Sequence, residues 1–235
     1  MSYTLYGSPD SANAVVRTAL EELAQPYQDV LVDRGAAAQH SAAYRALNPQ
    51  GLLPVLVVPG QDEPLFETAA ILLFLADRHA ALLPQAPSAR GRGLKWLFFL
   101  SNTLHADLRV LFYSARYVSD EAAIPSLRVA MHRRVEAHFG LLDAEIARHG
   151  GPWLLGEALS VCDLYLAWCA RWAQLYPVGD TLPGAALAAR PRLWSLLEAL
   201  QQRPAVQRAC QREEVGLQAF TAPVVPQPSR GSVTG

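Results

Sequence analysis

The run LLPVLVV, residues 52–58, constrains this chain more than any other stretch. It is β-branched and aliphatic, of ordinary strand length, and bounded by Gly51 and Pro59-Gly60, which marks a buried strand. Pro54 stands near its start, and a proline, lacking the ladder donor, is confined to strand beginnings, edges and bulges. Two readings fit: an edge proline, or a cis peptide that turns polar backbone groups of Leu53 toward a ligand. Pro59 to Asp62 form a turn, and Pro64 to Phe66 a short hairpin partner. Glu67-Thr68 then precedes the periodic run AAILLFLADRH, with Thr68 as its N-cap. At the positive end of a helix this pair either serves only as a cap or receives a carboxylate.

The remaining chain supplies a frame for that stretch. YTLYG, residues 3–7, is a first strand, and the turn SPDS leads into a helix to about Leu23, with Val16, Ala19, Leu20 and Leu23 on one face. Tyr27 to Val32 is a second strand, parallel to the first through that helix, and an alanine-rich segment to Leu47 carries a weaker helix. The order β-α-β-α-β-β-α makes a small mixed sheet with helices packed on it. LLPQAPSARGR, residues 82–92, is rich in Pro, Ser, Ala and Gly and marks a linker after a first domain of residues 1–81. Beyond it the pattern is helical: Leu94–Tyr117, Ile124–Arg148 stopped by His149-Gly150-Gly151-Pro152, a very apolar Val161–Leu175, and Arg192–Gln202 with Ala205–Gln211 closing a second domain of residues 93–220. The Pro- and Ser-rich end, residues 221–235, is expected to be mobile.

Composition narrows the function classes. With 51% hydrophobic and 17% charged residues, the 235-residue chain is globular. A net charge of -1 and a pI near 6.6 leave no basic surface for nucleic acid or anionic lipid. No apolar run reaches the ~18 residues of a membrane span, and the start MSYTLYGSPDS has no signal-peptide character. Cys162, Cys169 and Cys210 form no CxxC pair and suit a reducing cytoplasm. Six histidines without HExxH or similar spacing predict no metal, and no Gly-rich phosphate loop is present.

Four motifs in order resemble the glutathione transferase family over residues 3 to about 215: NPQGLLPVL, FETAAILLFLADRH, LGEALSVCDLYLA and RLWSLLEALQQRPAVQRA. The resemblance implies an α/β plus all-α architecture, a thioredoxin-like domain followed by a helical bundle, and a cytoplasmic homodimer that uses glutathione as co-substrate. Ser160 followed by Asp163 also reads on its own as a capping box, a folding device that satisfies two orphan N–H groups.

For conjugation a thiol must ionise near neutral pH, and a helix N-terminus with one good donor lowers its pKa. Gly7 to Ser11 resembles the Gly-x-Pro-x-Ser turn of serine-type members, which makes Ser11 the first candidate donor and Asn13 the second; the alternative for Ser11 is the N-cap of its helix. Bacterial beta-class relatives place a cysteine one position later, where this chain has Ala12. The resemblance also implies that the Leu53 backbone before Pro54 pairs with the cysteinyl part, and that Glu67 and Thr68 hold the γ-glutamyl end. His40 is a candidate for the glycine end, or simply a surface histidine. WLFFLSNTLHADL resembles the beta-class helix whose histidine enters the site, so His105, and Asn102 one turn before it, are further candidates; a core histidine is the competing reading. Phe112, Tyr113 and Arg116 suit an apolar second substrate, or else core or dimer surface. Three functions follow: attack of the glutathione thiolate on an apolar electrophile, glutathione-dependent reduction or isomerisation, and a non-catalytic binding protein that keeps the fold.

Overall fold

A computed structural model of the chain describes residues 2–229 and 231. The chain folds into two compact units, Met1–Ala81 with Gln202–Leu217 and Val224–Thr234, and Leu82–Gln201 with Gln218–Pro223 and the final residue. The expected mobile end falls partly outside the described residues, at 230 and 232–235. Within its described part, Ser229 donates from its N–H and hydroxyl to the Glu214 carboxylate at 2.8 and 2.7 Å.

The first unit is a thioredoxin-like β-α-β-α-β-β-α domain. Strands β1 (Tyr3–Gly7), β2 (Tyr27–Leu31), β3 (Val55–Val57) and β4 (Leu65–Phe66) form one mixed sheet in the order β2-β1-β3-β4. β2 runs parallel to β1 with Tyr3 opposite Tyr27, and β3 runs antiparallel to both β1 and β4. Helices α1 (Asn13–Glu22), α2 (Ala42–Leu47) and α3 (Thr68–Arg78) complete it. Val15, Val16, Ala19 and Leu20 of α1 are fully buried, each larger side chain contributing about 1.5–3 kcal/mol. Arg17 and Thr18 on the other side of α1 are buried as well. Their cover is α10 (Pro204–Glu213), which the sequence pattern assigned to the second domain but which packs along α1 in the first unit. Arg203 clasps Glu22 through two bonds of 2.6 and 2.7 Å, an ion pair that periodicity does not encode.

The second unit is all-helical: α4 (Pro87–Phe99), α5 (His105–Phe112), α6 (Ile124–His149), α7 (Val161–Leu175), α8 (Gly184–Ala188) and α9 (Pro191–Gln201). The segment expected as a linker is helical from Pro87, because proline suits the first turn of a helix. The expected single helix over 94–117 is instead α4, a π-wound turn at Leu100–Leu104, and α5. α7 is the centre of this unit, with Trp168, Cys169 and Arg171 at 0% exposure. At its start Asp163 accepts from the N–H groups of Leu154 (2.7 Å) and Ser160 (2.8 Å) and from the Ser160 hydroxyl (2.7 Å). No described helix is long and apolar enough to cross a membrane.

Candidate functional site

Sheet register assembles the candidate residues of the first unit. Tyr6 of β1 lies opposite Val55 of β3, and Val55 opposite Phe66 of β4. One step further, three neighbouring strands therefore end together in the turn after Gly7, in the Leu53-Pro54 peptide and in Glu67-Thr68. β2 ends at the same edge, since Leu31 pairs with Gly7 and the Val32 N–H donates to the Gly7 carbonyl at 2.7 Å.

The Leu53-Pro54 bond is cis, one of the two readings open from the sequence. Leu53 precedes the register of β3, which starts at Val55. The loop before it is pinned at Leu52, whose carbonyl accepts from the Tyr44 hydroxyl at 2.8 Å and the Asn48 amide at 2.9 Å. Asn48 also accepts from the Gln50 N–H, and Gly51 has φ +67°. A β-carbon on Gly51 would lie 2.9 Å from the Gln39 carbonyl and 3.0 Å from the His40 ring. His40 is thus an exposed residue folded over this loop.

At the start of α3 the cap lies one residue earlier than expected. Glu67 is the N-cap, with φ +69° and ψ 112°, and Thr68 is the first helical residue. A side chain with a β-carbon rarely adopts such a backbone, and strained positions of this kind concentrate where ligands are held. No side-chain hydrogen bond caps α3, so its first N–H groups have no side-chain acceptor at the positive end of the dipole. Glu67 is exposed, and its carboxylate accepts from the Gln50 amide at 3.1 Å.

In the first turn, Ser11 is buried but does not cap α1, whose N-cap is Ala12. Its hydroxyl donates to the Pro9 carbonyl at 3.4 Å and accepts from Arg34 at 3.3 Å. Asn13, the second candidate donor, is engaged within the turn. It is fully buried, with its carbonyl accepting from the Ser8 N–H (3.0 Å) and its amide donating to Glu213 (2.8 Å). Both ends are engaged in holding the turn. Gly7 must be glycine for this, since a β-carbon there would meet the Asn13 side chain at 2.4 Å. Burial pushes the Glu213 carboxyl up, against the pull of Arg17.

The second-unit candidates separate. The His105 Nδ1 lies 2.8 Å from the Tyr165 hydroxyl, and its ring packs on those of Tyr165 and Trp172. Burial, then Arg109, lowers its pKa to about 4, so the ring is neutral at pH 7. Asn102 is exposed and accepts from the Ser101 hydroxyl. Because the intervening turn is π-wound, the three-residue spacing no longer returns to one face. Phe112 is core, edge-on to Tyr176, while exposed Arg116 stacks 4.3 Å over the Tyr113 ring. Among the described residues no group of three or more His, Cys, Asp or Glu is arranged to hold a metal.

Sequence reasoning missed Gln50, Arg34 and Glu213. Gln50 sat in plain view within NPQG, whereas the other two are visible only through the tertiary pairing.

The N-terminal domain model of glutathione S-transferases matches residues 1–77 and the C-terminal domain model residues 106–211. Glutathione S-transferase GstB of Escherichia coli K12 is 33% identical over 212 residues, covering 87% of this chain and 96% of that protein. The chain belongs to the glutathione S-transferase family. Another relative is the disulfide-bond oxidoreductase YfcG of E. coli K12, 26% identical over 90% of this chain and 96% of its own length. Among solved structures, a glutathione transferase homologue from Sulfitobacter with bound glutathione superposes with a TM-score of 0.78 at 27% identity, over 90% of this chain and 98% of that one.

Proposed function

We propose that this protein binds glutathione at the shared end of β1, β3 and β4 and attacks apolar electrophiles with the thiolate. One arrangement carries the reading: the Ser11 hydroxyl, the Leu53 backbone before cis-Pro54, and the uncapped start of α3 under Glu67 stand on adjacent strand ends. In it, the Leu53 backbone pairs with the cysteinyl residue and Glu67 holds the ammonium group. The α3 N-terminus at Thr68 takes the γ-glutamyl carboxylate. Ser11 donates to the sulfur, and Arg34 beside it adds positive charge that favours the anion. His40 stands toward the glycine end, and the family resemblance extends the reading to a cytoplasmic homodimer.

A second reading, glutathione-dependent disulfide reduction, is favoured by the relation to YfcG. Cys162, Cys169 and Cys210 are all buried, and burial raises the thiols of Cys162 and Cys169. With Ala12 in the turn, such chemistry would run between glutathione thiols and not through the protein. The test is calorimetry of glutathione binding, with ultraviolet absorbance to titrate the bound thiol. A hydrogen bond to a charged group is worth about 1.5–3 kcal/mol, so Ser11→Ala raises the bound-thiol pKa by about 1–2 units. Glu67→Ala lowers affinity instead. Absence of binding at millimolar glutathione would sink the reading, and conjugation of a chlorodinitrobenzene against reduction of a mixed disulfide separates its two forms.

A further inference from the structure

The turn that carries Ser11 is held from far along the chain. Asp10, immediately before Ser11, has φ +51°, a backbone that L residues with a β-carbon seldom adopt unaided. Its N–H donates to one Glu213 oxygen at 2.9 Å, while the other accepts from Asn13 at 2.8 Å and from Arg17 at 2.7 Å. Asn13 in turn accepts from the Ser8 N–H. Both ends of the turn are thereby tied to a single carboxylate, 1% exposed, at the last residue of α10.

Stability alone is a poor reason for that placement. A carboxylate at a helix C-terminus opposes the macrodipole, and a buried ion pair is often no more stable than apolar packing of the same volume. What the carboxylate supplies is direction: all three named partners donate, from three separate points of the turn and of α1.

We infer that Glu213 is a positioning residue for the thiolate site, fixing the Asp10 backbone and with it the direction of the Ser11 hydroxyl. The inference rests on the proposed glutathione reading. It goes beyond it in assigning to the final helix a part in setting the donor geometry, without contact to the ligand.

The test compares full-length Glu213→Gln with Glu22→Gln. Glutamine keeps one acceptor and turns a donor toward donors, so the turn loses part of its hold. Glu22 pairs with Arg203 and also ties α10 to α1, but it has no contact with the turn. If Glu213 positions the turn, Glu213→Gln raises the pKa of the bound glutathione thiol by about one unit. It lowers kcat with chlorodinitrobenzene at neutral pH up to ~10-fold, the loss of thiolate such a shift brings. The KM for glutathione stays within about two-fold, since the γ-glutamyl end is held elsewhere. Glu22→Gln lowers the unfolding midpoint and leaves the thiol pKa in place. An unchanged thiol pKa in Glu213→Gln overturns the inference, as does an equal shift in Glu22→Gln. Should the glutamine variant not fold, Glu213→Asp, which withdraws the same charge by one methylene, decides by the same two readings. Failure of both to fold makes Glu213 structural only and also overturns the inference. Failure of the wild type to bind glutathione or lower its thiol pKa refutes the functional reading itself.

Discussion

Replacing Asp163 by alanine tests how the second unit is held together. Its carboxylate is fully buried and accepts three bonds of 2.7–2.8 Å, two of them from backbone N–H groups. Alanine leaves the Leu154 and Ser160 N–H groups without that acceptor in a region closed to water. Each orphaned donor costs about 1–3 kcal/mol, so the substitution costs ~2–6 kcal/mol. That is a large part of the ~5–15 kcal/mol by which a domain is stable. The assay is built into the chain, because all five tryptophans, Trp96, Trp153, Trp168, Trp172 and Trp194, lie in the second unit. Their fluorescence in urea therefore reports this unit. With a slope of about 1–3 kcal/mol/M, a loss of ~3 kcal/mol moves the midpoint down by ~1–3 M. Ser160→Ala, which removes only the hydroxyl, costs ~0.5–2 kcal/mol. An Asp163→Ala shift no larger than that of Ser160→Ala, at equal slope, would refute the account of Asp163 as the acceptor for buried backbone.

Two further outcomes follow from partners described in the structure. Burial raises the Glu145 carboxyl, but bonds from Arg148, Trp96 and His149 more than offset it and bring the pKa down to about 2. A depressed carboxyl stabilises above its unfolded pKa near 4.5, and that stability is lost as pH falls from there toward 2. Since Arg148 is 61% exposed, solvent screening reduces the part of this effect that comes from its charge. Urea unfolding between pH 2 and 6 is to show a shallower acid decline in Glu145→Gln, and parallel declines would dismiss the assignment. Gln50→Ala removes the bond that orients Glu67 and is to weaken glutathione binding by ~2- to 12-fold, the equivalent of ~0.5–1.5 kcal/mol. Unfolding midpoints stay as in the wild type because both residues are exposed; a change in stability without a change in affinity would count against the role.

What was legible in the sequence was local. The order of β1 to β4, the apolar run of α7 and the Ser160-Asp163 pair each carry their cause within a few residues and appear in the structure, although β3 is only Val55–Val57 where the apolar run 52–58 read as strand. Pro54 announced a choice between two geometries and the structure shows the cis one. One local reading failed, and another met a partner that no local pattern shows. Thr68 looked like a cap because its hydroxyl is of the capping type, yet the chain enters α3 through a positive-φ Glu67. Asn13 read as an amide donor at a helix start, and in the structure that amide donates to Glu213, two hundred residues away. Such pairings leave no trace in periodicity: α10 reads as one more amphipathic helix, and nothing in PAVQRACQRE names its partner. Arg34 was silent for the same reason, a lone basic residue in a polar stretch until Ser11 is placed beside it.

The position of α10 also sets an order of events during synthesis. Residues 1–81 leave the ribosome before the helix that covers α1 and engages Asp10, which comes only after residues 82–201 of the second unit have been made. At ~5–20 residues per second the roughly 120 intervening residues take ~6–24 s. For that interval the nascent sheet carries an uncovered α1 face with Arg17 waiting for its carboxylate. The turn that bears Ser11 is therefore completed only once α10 has been made, far behind the strand that leads into it.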